Sequence, residues 1–167
     1  MKGYKKLLYI GVLIIMIGAL TGCFKKKIEI KNITHIYFTF SNGYAMNSYT
    51  RYNMNYKDGE YKVEIKQYGE PEENLRTYTI KKEKVEELEK KLNETNIYKW
   101  DGFKKSDKNV LDGDSFSFGM WLGEGKEKKT IDAQGYMKWP VDYGSIKGIL
   151  CDWFNSIDVD RPEKIEY

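Results

Sequence analysis

Residues 51–66 read RYNMNYKDGEYKVEIK and give the firmest prediction of local structure in the chain. Asp58-Gly59 lies between two runs in which apolar and polar residues alternate. Asp-Gly in that setting is the strongest short-range signal for a β-hairpin. A two-residue loop pairs Lys57 with Glu60, and this pairing sets the register of both strands.

This register brings the large apolar residues of the hairpin onto one face, which predicts a half-buried sheet. It also places Arg51 opposite Lys66, and two like charges facing each other predict fraying at that end. The apolar pairs are Tyr56 with Tyr61, Met54 with Val63, and Tyr52 with Ile65.

Further alternating runs predict strands on both sides of the hairpin. In one of them Gly119 faces away from the apolar residues, so it can admit a neighbouring ring, with Trp121 and Trp139 as candidates. The additional strands cover residues 35–41, 76–81, 115–122 and 127–133.

Two segments change to helical spacing. The first spans residues 82–93 and has a narrow apolar face, whereas the second starts at Pro140 and has a broad one. Gly144 and Gly148 lie on the other side of the second helix and predict close approach by another element. The apolar faces consist of Val85, Leu88 and Leu92 in the first helix and of Ile146, Ile149, Leu150, Trp153 and Phe154 in the second.

The order of these elements predicts an α+β fold with a single antiparallel sheet of about five to six strands and two helices packed on one face. The length of 167 residues allows one such domain. Two cysteines exclude a disulfide-dense scaffold and a multi-cysteine zinc ribbon. A formal net charge of only +3 gives no reason to expect a nucleic-acid partner.

The N-terminus has the pattern of an export signal. Three lysines within residues 1–6 precede an uncharged run over residues 7–20, which is short for a membrane span. The run ends in Leu20-Thr21-Gly22-Cys23, which resembles the lipobox of bacterial lipoproteins. The resemblance implies cleavage before Cys23 and attachment of a diacylglyceryl group to its sulfur. The alternative is an uncleaved anchor helix with an incidental cysteine.

The lipobox divides the chain into a signal peptide at 1–22, a lipidated cysteine with a tether at 23–34, a single α+β domain at 35–156 and a polar tail at 157–167. Cleavage removes three of the 28 basic residues and no acid, which leaves 25 against 25 acids. Lys25, Lys26 and Lys27 would then lie over anionic lipid headgroups. Lys outnumbers Arg 25 to 3, which fits a low-GC Gram-positive bacterium.

Residues that carry chemistry are few. Asp112 and Asp114 are the candidates for a carboxylate pair, although any chain with 25 acids offers such pairs. The acids from Asp107 onward do not have EF-hand spacing, so an Asx-type turn is expected there instead of a metal site. The only histidine, His35, is expected to be structural or solvated, and Cys151 is expected to be a buried, unreactive thiol.

Aromatic residues are abundant, with fourteen Tyr and four Trp. Tyr136, Trp139 and Tyr143 fall in loops or at element ends, where exposed rings can stack on sugars or anchor a protein partner. Sheet packing alone is the alternative explanation.

The body also resembles a group of uncharacterised bacterial extracytoplasmic proteins over residues 85–154. The resemblance rests on Trp100-Asp101-Gly102, on Leu111-Asp112-Gly113 with Phe116 in place of a Trp, and on Gly135 followed by Pro140 before the last helix. It implies a shared fold and no activity.

The sequence therefore predicts a membrane-anchored extracytoplasmic lipoprotein whose body is a small binding module for a protein or a glycan. We expect a monomer with no cofactor and no metal. The alternatives are a hydrolase of cell-wall or sugar polymers and an inhibitor or immunity-type protein.

Overall fold

A computed structural model describes residues 25–41 and 49–160, so the predictions for the signal peptide and for Cys23 lie outside the described residues. The strands are β1 (Ile33–Ser41), β2 (Tyr49–Lys57), β3 (Glu60–Lys66), β4 (Arg76–Ile80), β5 (Phe103–Ser106), β6 (Ser115–Leu122) and β7 (Lys129–Tyr136). The helices are α1 (Lys82–Asn93) and α2 (Tyr143–Asn155), and short 3-10 turns cover Glu72–Asn74, Ile97–Trp100 and Gly125–Glu127.

The seven strands form one sheet in the order β4-β3-β2-β1-β6-β7-β5. The predicted hairpin register is confirmed, with Lys57 opposite Glu60 and every apolar pair as expected. The prediction of fraying at Arg51 and Lys66 was wrong, because these residues remain paired. The Nζ of Lys66 lies 3.9 Å from the centroid of the Tyr49 ring. This cation–π contact stabilises the Lys66 ammonium group opposite Arg51.

The α+β class is confirmed, but the sheet has more strands than the predicted five to six, and not all its pairings are antiparallel. The strand that the prediction missed is β5, which pairs in parallel with β7. Its four residues read FKKS, so a single apolar residue, Phe103, gives no alternating pattern to recognise. A parallel partner also leaves no hairpin turn as a signal.

The core lies on one face of the sheet, beneath both helices. Tyr52 of β2 stacks on Phe154 of α2 with ring centroids 4.6 Å apart. Trp153 of α2 donates from Nε1 to the carbonyl of Lys84 in α1 at 2.8 Å, which ties the helices together. The buried residues of α1 are Val85, Leu88 and Leu92, and those of α2 are Ile146, Leu150, Trp153 and Phe154.

The packed body extends past the predicted domain limits at both ends. Ile30 and Ile33 are fully buried, and the Ile30 amide donates to Asn93 Oδ1 at 2.8 Å. Ile157 and Asp158 are also buried. Alternation did not indicate either extension, since Ile30 precedes β1, Ile33 begins β1 two residues before the predicted strand, and Ile157 and Asp158 follow α2.

The two helical glycines do not admit a neighbour. A Cβ placed on Gly144 or Gly148 would meet nothing within 4 Å, so the expected close approach is wrong. By contrast, a Cβ on Gly135 would collide with the backbone carbonyl of Lys138.

These glycines give a prediction about stability. Gly148→Ala should raise the free energy of unfolding by about 1 kcal/mol, because alanine has the higher helix propensity and space is open. Equilibrium urea unfolding measures the change. Gly135→Ala, the same substitution at a closed site, should destabilise the chain by about 1–3 kcal/mol. Equal effects at both sites would contradict the packing described here.

Candidate ligand-binding face

The second face of the sheet, which we call the open face, lies opposite both helices. Because side chains alternate along a strand, it carries the residues that do not enter the core. It is mostly polar, with an aromatic cluster on its central strands. Across β2, β1, β6 and β7 it presents Asn53, Asn55, His35, Tyr37, Thr39, Ser117, Gly119, Trp121, Asp132 and Gln134.

The aromatic cluster consists of His35 and Tyr37 from β1 and Trp121 from β6. His35 meets Trp121 edge-on with ring centroids 4.5 Å apart, and Tyr37 lies 5.8 Å from Trp121. The Tyr37 ring covers Gly119, where a Cβ would overlap it. The expectation that Gly119 admits a ring is therefore confirmed, but the main ring comes from the neighbouring strand.

Polar groups hold the cluster in place. The Tyr37 hydroxyl donates to Asp132 Oδ1 at 3.3 Å, and Lys104 Nζ lies 3.3 Å from Asp132 Oδ2. Lys128 Nζ lies 5.5 Å from the centre of the Trp121 ring. A shallow depression beside the cluster is lined by Thr34, His35, Asn55, Tyr56, Trp121 and Lys128, among others.

Burial lowers the pKa of His35, and the positive charge of Lys128 lowers it further, whereas a hydrogen bond with Asn55 raises it. The net shift is downward, so the ring is neutral at pH 7. A neutral imidazole offers one donor and one acceptor to a ligand on the open face.

A second exposed feature is the apolar rim, defined as Leu111, Met137, Trp139 and Val141. These residues belong to the loops that follow β5 and β7, at the end of the sheet where β6 begins. Leu111 is 94% exposed, and the rim supplies four of the six large hydrophobic side chains that are strongly exposed in the described residues.

The three aromatic residues singled out from the sequence have different positions. Trp139 stacks on Tyr143 with ring centroids 4.6 Å apart, so the structure brings these two together. Tyr143 packs further inward against Phe116 and Trp100, and burial raises its pKa. Tyr136 lies apart from them, and its hydroxyl donates to the Leu111 carbonyl and accepts from the Gly113 amide, each at 2.8 Å. Tyr136 therefore holds the loop that carries Leu111.

The acidic candidates lie on that same loop. Asp112 is exposed and Asp114 is half-buried, and the Asp114 carbonyl accepts from the Met137 amide at 2.9 Å. Asp107 Oδ1 accepts from the Asn109 amide at 3.1 Å, so the expected Asx-type turn is present. Within residues 25–41 and 49–160, no group of three or more His, Cys, Asp or Glu side chains is placed to hold a metal ion.

Cys151 is half-buried on α2. Burial raises the pKa of its thiol, while Lys147 and a hydrogen bond with Tyr52 act in the opposite direction. The net upward shift keeps the thiol protonated at neutral pH, which makes it a poor nucleophile.

No protein-family model, curated protein or solved structure matches the chain. In the part of the chain that the structure describes, no helix is both long and apolar enough to cross a membrane.

The sequence alone did not predict that His35, Tyr37 and Trp121 form a cluster. His35 and Tyr37 are two positions apart in one strand and so share a face, but Trp121 is more than eighty residues away. Only the pairing of β1 with β6 brings them together, and neither turn chemistry nor spacing indicates that pairing.

Proposed function

We propose that this protein is a lipid-anchored extracytoplasmic binding module and that the open face is its ligand-binding surface. The anchor is supported by the lipobox at Leu20 to Cys23 and by the exposed lysines that follow it. The proposed binding function rests on the contact among His35, Tyr37 and Trp121 on the face opposite both helices.

The ligand that best fits this surface is a saccharide chain. A sugar ring combines an apolar face of C–H groups with a rim of hydroxyl groups. The cluster supplies aromatic faces, and the neighbouring Asn55, Gln134 and neutral His35 supply uncharged donors and acceptors. The cluster supplies rings and its neighbours supply amides, while the carboxylate of Asp132 is bonded to Tyr37 and Lys104; this composition favours binding over hydrolysis. An anchored protein would meet such chains in the cell wall or in surface polysaccharide.

The binding function predicts a specific effect of Trp121→Ala. Loss of the ring should weaken binding by roughly tenfold, because aromatic packing and the apolar area of an indole together contribute about 1.4 kcal/mol or more. The measurement is sedimentation of the full chain, held in mild detergent, with insoluble cell-wall polysaccharide.

Trp139→Ala is the matched control, because it also removes one indole, but from the apolar rim instead of the open face. It should leave sedimentation unchanged. Equal losses in both variants, or no binding by the unaltered chain, would contradict the saccharide-binding function. Recovery of one enzyme as a stoichiometric partner would favour the inhibitor alternative instead.

A further inference from the structure

The chain enters the folded body beside the edge strand β5. Lys25 contacts the backbone carbonyl of Asp101 through Nζ, and Gly102 lies next to the same lysine. Asp101 and Gly102 directly precede β5. Cys23 is only two positions before Lys25 in the sequence. A lipid on Cys23 would therefore hold this edge of the sheet at the bilayer.

The edge itself is basic. β5 pairs only with β7, so its outer side has no strand partner in the sheet. Lys104 and Lys105 of β5 are exposed, as are Lys26 and Lys27 in the entering segment. Three acids adjoin this edge: Asp132 pairs with Lys104, Asp107 follows β5 and pairs with Lys138, and Asp101 precedes β5. We call Lys25, Lys26, Lys27, Lys104 and Lys105 the basic edge, and its net charge is positive.

The apolar rim continues from the basic edge. The loop after β5 carries Leu111, with Lys108 exposed three residues before it. Met137, on the loop after β7, contacts the same loop, since its amide donates to the Asp114 carbonyl at 2.9 Å, and exposed Trp139 follows two residues later. Lys138 between them is also exposed. Exposed apolar side chains beside an excess of lysines are the combination that binds at the interface of an anionic membrane. The acids at the rim are Asp112, which is exposed next to Leu111, and Asp107, which pairs with Lys138 at 3.0 Å.

We propose that the basic edge and the apolar rim together dock on the anionic bilayer that holds the lipid anchor. This inference rests on the proposed anchor at Cys23 and adds an orientation to it. The lysines face the headgroups, Leu111 enters the interfacial region, and the Trp139 ring lies at the headgroup level, where indoles are enriched.

This orientation leaves the open face accessible. Docking through an edge strand stands the sheet upright on the membrane instead of laying a face on it. Seven strands spaced about 4.8 Å apart place β4 roughly 29 Å from β5, on the side away from the lipid. The aromatic cluster lies on the central strands β1 and β6, so a polymer can reach it from the side.

The test uses the full lipidated chain in vesicles that contain phosphatidylglycerol. An environment-sensitive fluorophore is attached to Leu111→Cys in a Cys151→Ala background, since lipidation blocks the Cys23 thiol. Leu111 is 94% exposed, so the substitution removes almost no packing. We expect the emission to shift to shorter wavelength and to be quenched by doxyl-labelled lipid. The same label on Thr79→Cys, an exposed residue of the far edge strand β4, should stay in water.

Charge reversal tests the lysines. Each lysine near an anionic surface contributes about fivefold to membrane binding, so Lys104→Glu with Lys105→Glu should remove most of the quenching at position 111. Lys57→Glu with Lys62→Glu, a matched pair on the hairpin, should leave it intact. Vesicles of phosphatidylcholine alone should give weaker quenching than the anionic ones.

Three results would overturn the proposal. A chain that carries lipid while its position-111 label stays in water contradicts the docking and leaves the anchor intact. A label shielded from aqueous iodide but not quenched by the lipid shows that a protein or a second copy covers the rim. A chain that carries no lipid contradicts both the proposed anchor and the docking that rests on it.

Discussion

Replacing Arg76 by Met should destabilise the fold by about 3–5 kcal/mol, because it leaves Asp158 buried without its charge partner. The Asp158 side chain has no exposed surface. Its carboxylate accepts from Arg76 Nε at 2.7 Å and from Arg76 Nη2 at 3.0 Å. Tyr78 and Gln67 donate to the same carboxylate at 2.9 and 3.3 Å. These contacts attach the segment after α2 to β4.

The measurement is the free energy of unfolding from urea titration, with Arg51→Met as the matched control. Arg51 is paired with Glu72, but that carboxylate is more than half exposed, so the control should cost less than about 1 kcal/mol. Adding Asp158→Asn to Arg76→Met should recover part of the loss, since a neutral amide needs no cation. Equal losses for the two arginine variants would contradict the structural role of this pair.

The same pair predicts a pH dependence. Burial tends to raise the pKa of Asp158, but the hydrogen bonds from Arg76, Tyr78 and Gln67 outweigh it, and the pKa is lowered from its usual value of 3.8. The stabilisation is therefore fully present above pH 3.8 and is lost as the pH falls through the lower pKa of the folded state. Arg76→Met should accordingly differ most from the unaltered chain near neutral pH, and the difference should shrink in acid.

Replacing Cys23 by Ala should abolish attachment to the membrane through lipid. In the proposed anchor the Cys23 sulfur forms the thioether to the lipid, and alanine has no sulfur. Growth with a labelled fatty acid measures lipid incorporation, and gel mobility measures processing. The variant should carry no label and should retain residues 1–22. Cys151→Ala is the matched control, because it removes the other thiol and should remain labelled and processed.

The extent to which the sequence predicts this structure follows from the range of the interactions involved. Asp58-Gly59 and the flanking alternation determine β2, β3 and their register through neighbours in the chain. Helix α1 is likewise local, and its predicted limits agree with the structure. β5 was missed because its pairing with β7 is parallel and its four residues are mostly polar.

The candidate sites were less predictable for the same reason. The rings of Trp139 and Tyr143 are close in sequence, and their contact could be anticipated. The cluster of His35 and Trp121 depends on two strands far apart in the chain. The sequence predicted Asp158 to be part of a polar tail, because nothing near it in sequence indicates that it pairs with Arg76 and is buried.

The intact mass of the chain purified from membranes shows whether a lipid on Cys23 holds this binding module there. We expect a mass equal to residues 23–167 plus a diacylglyceryl group, with or without an acyl chain on the new amino terminus. A chain that begins at Met1, or one that begins at Cys23 without lipid, would contradict it.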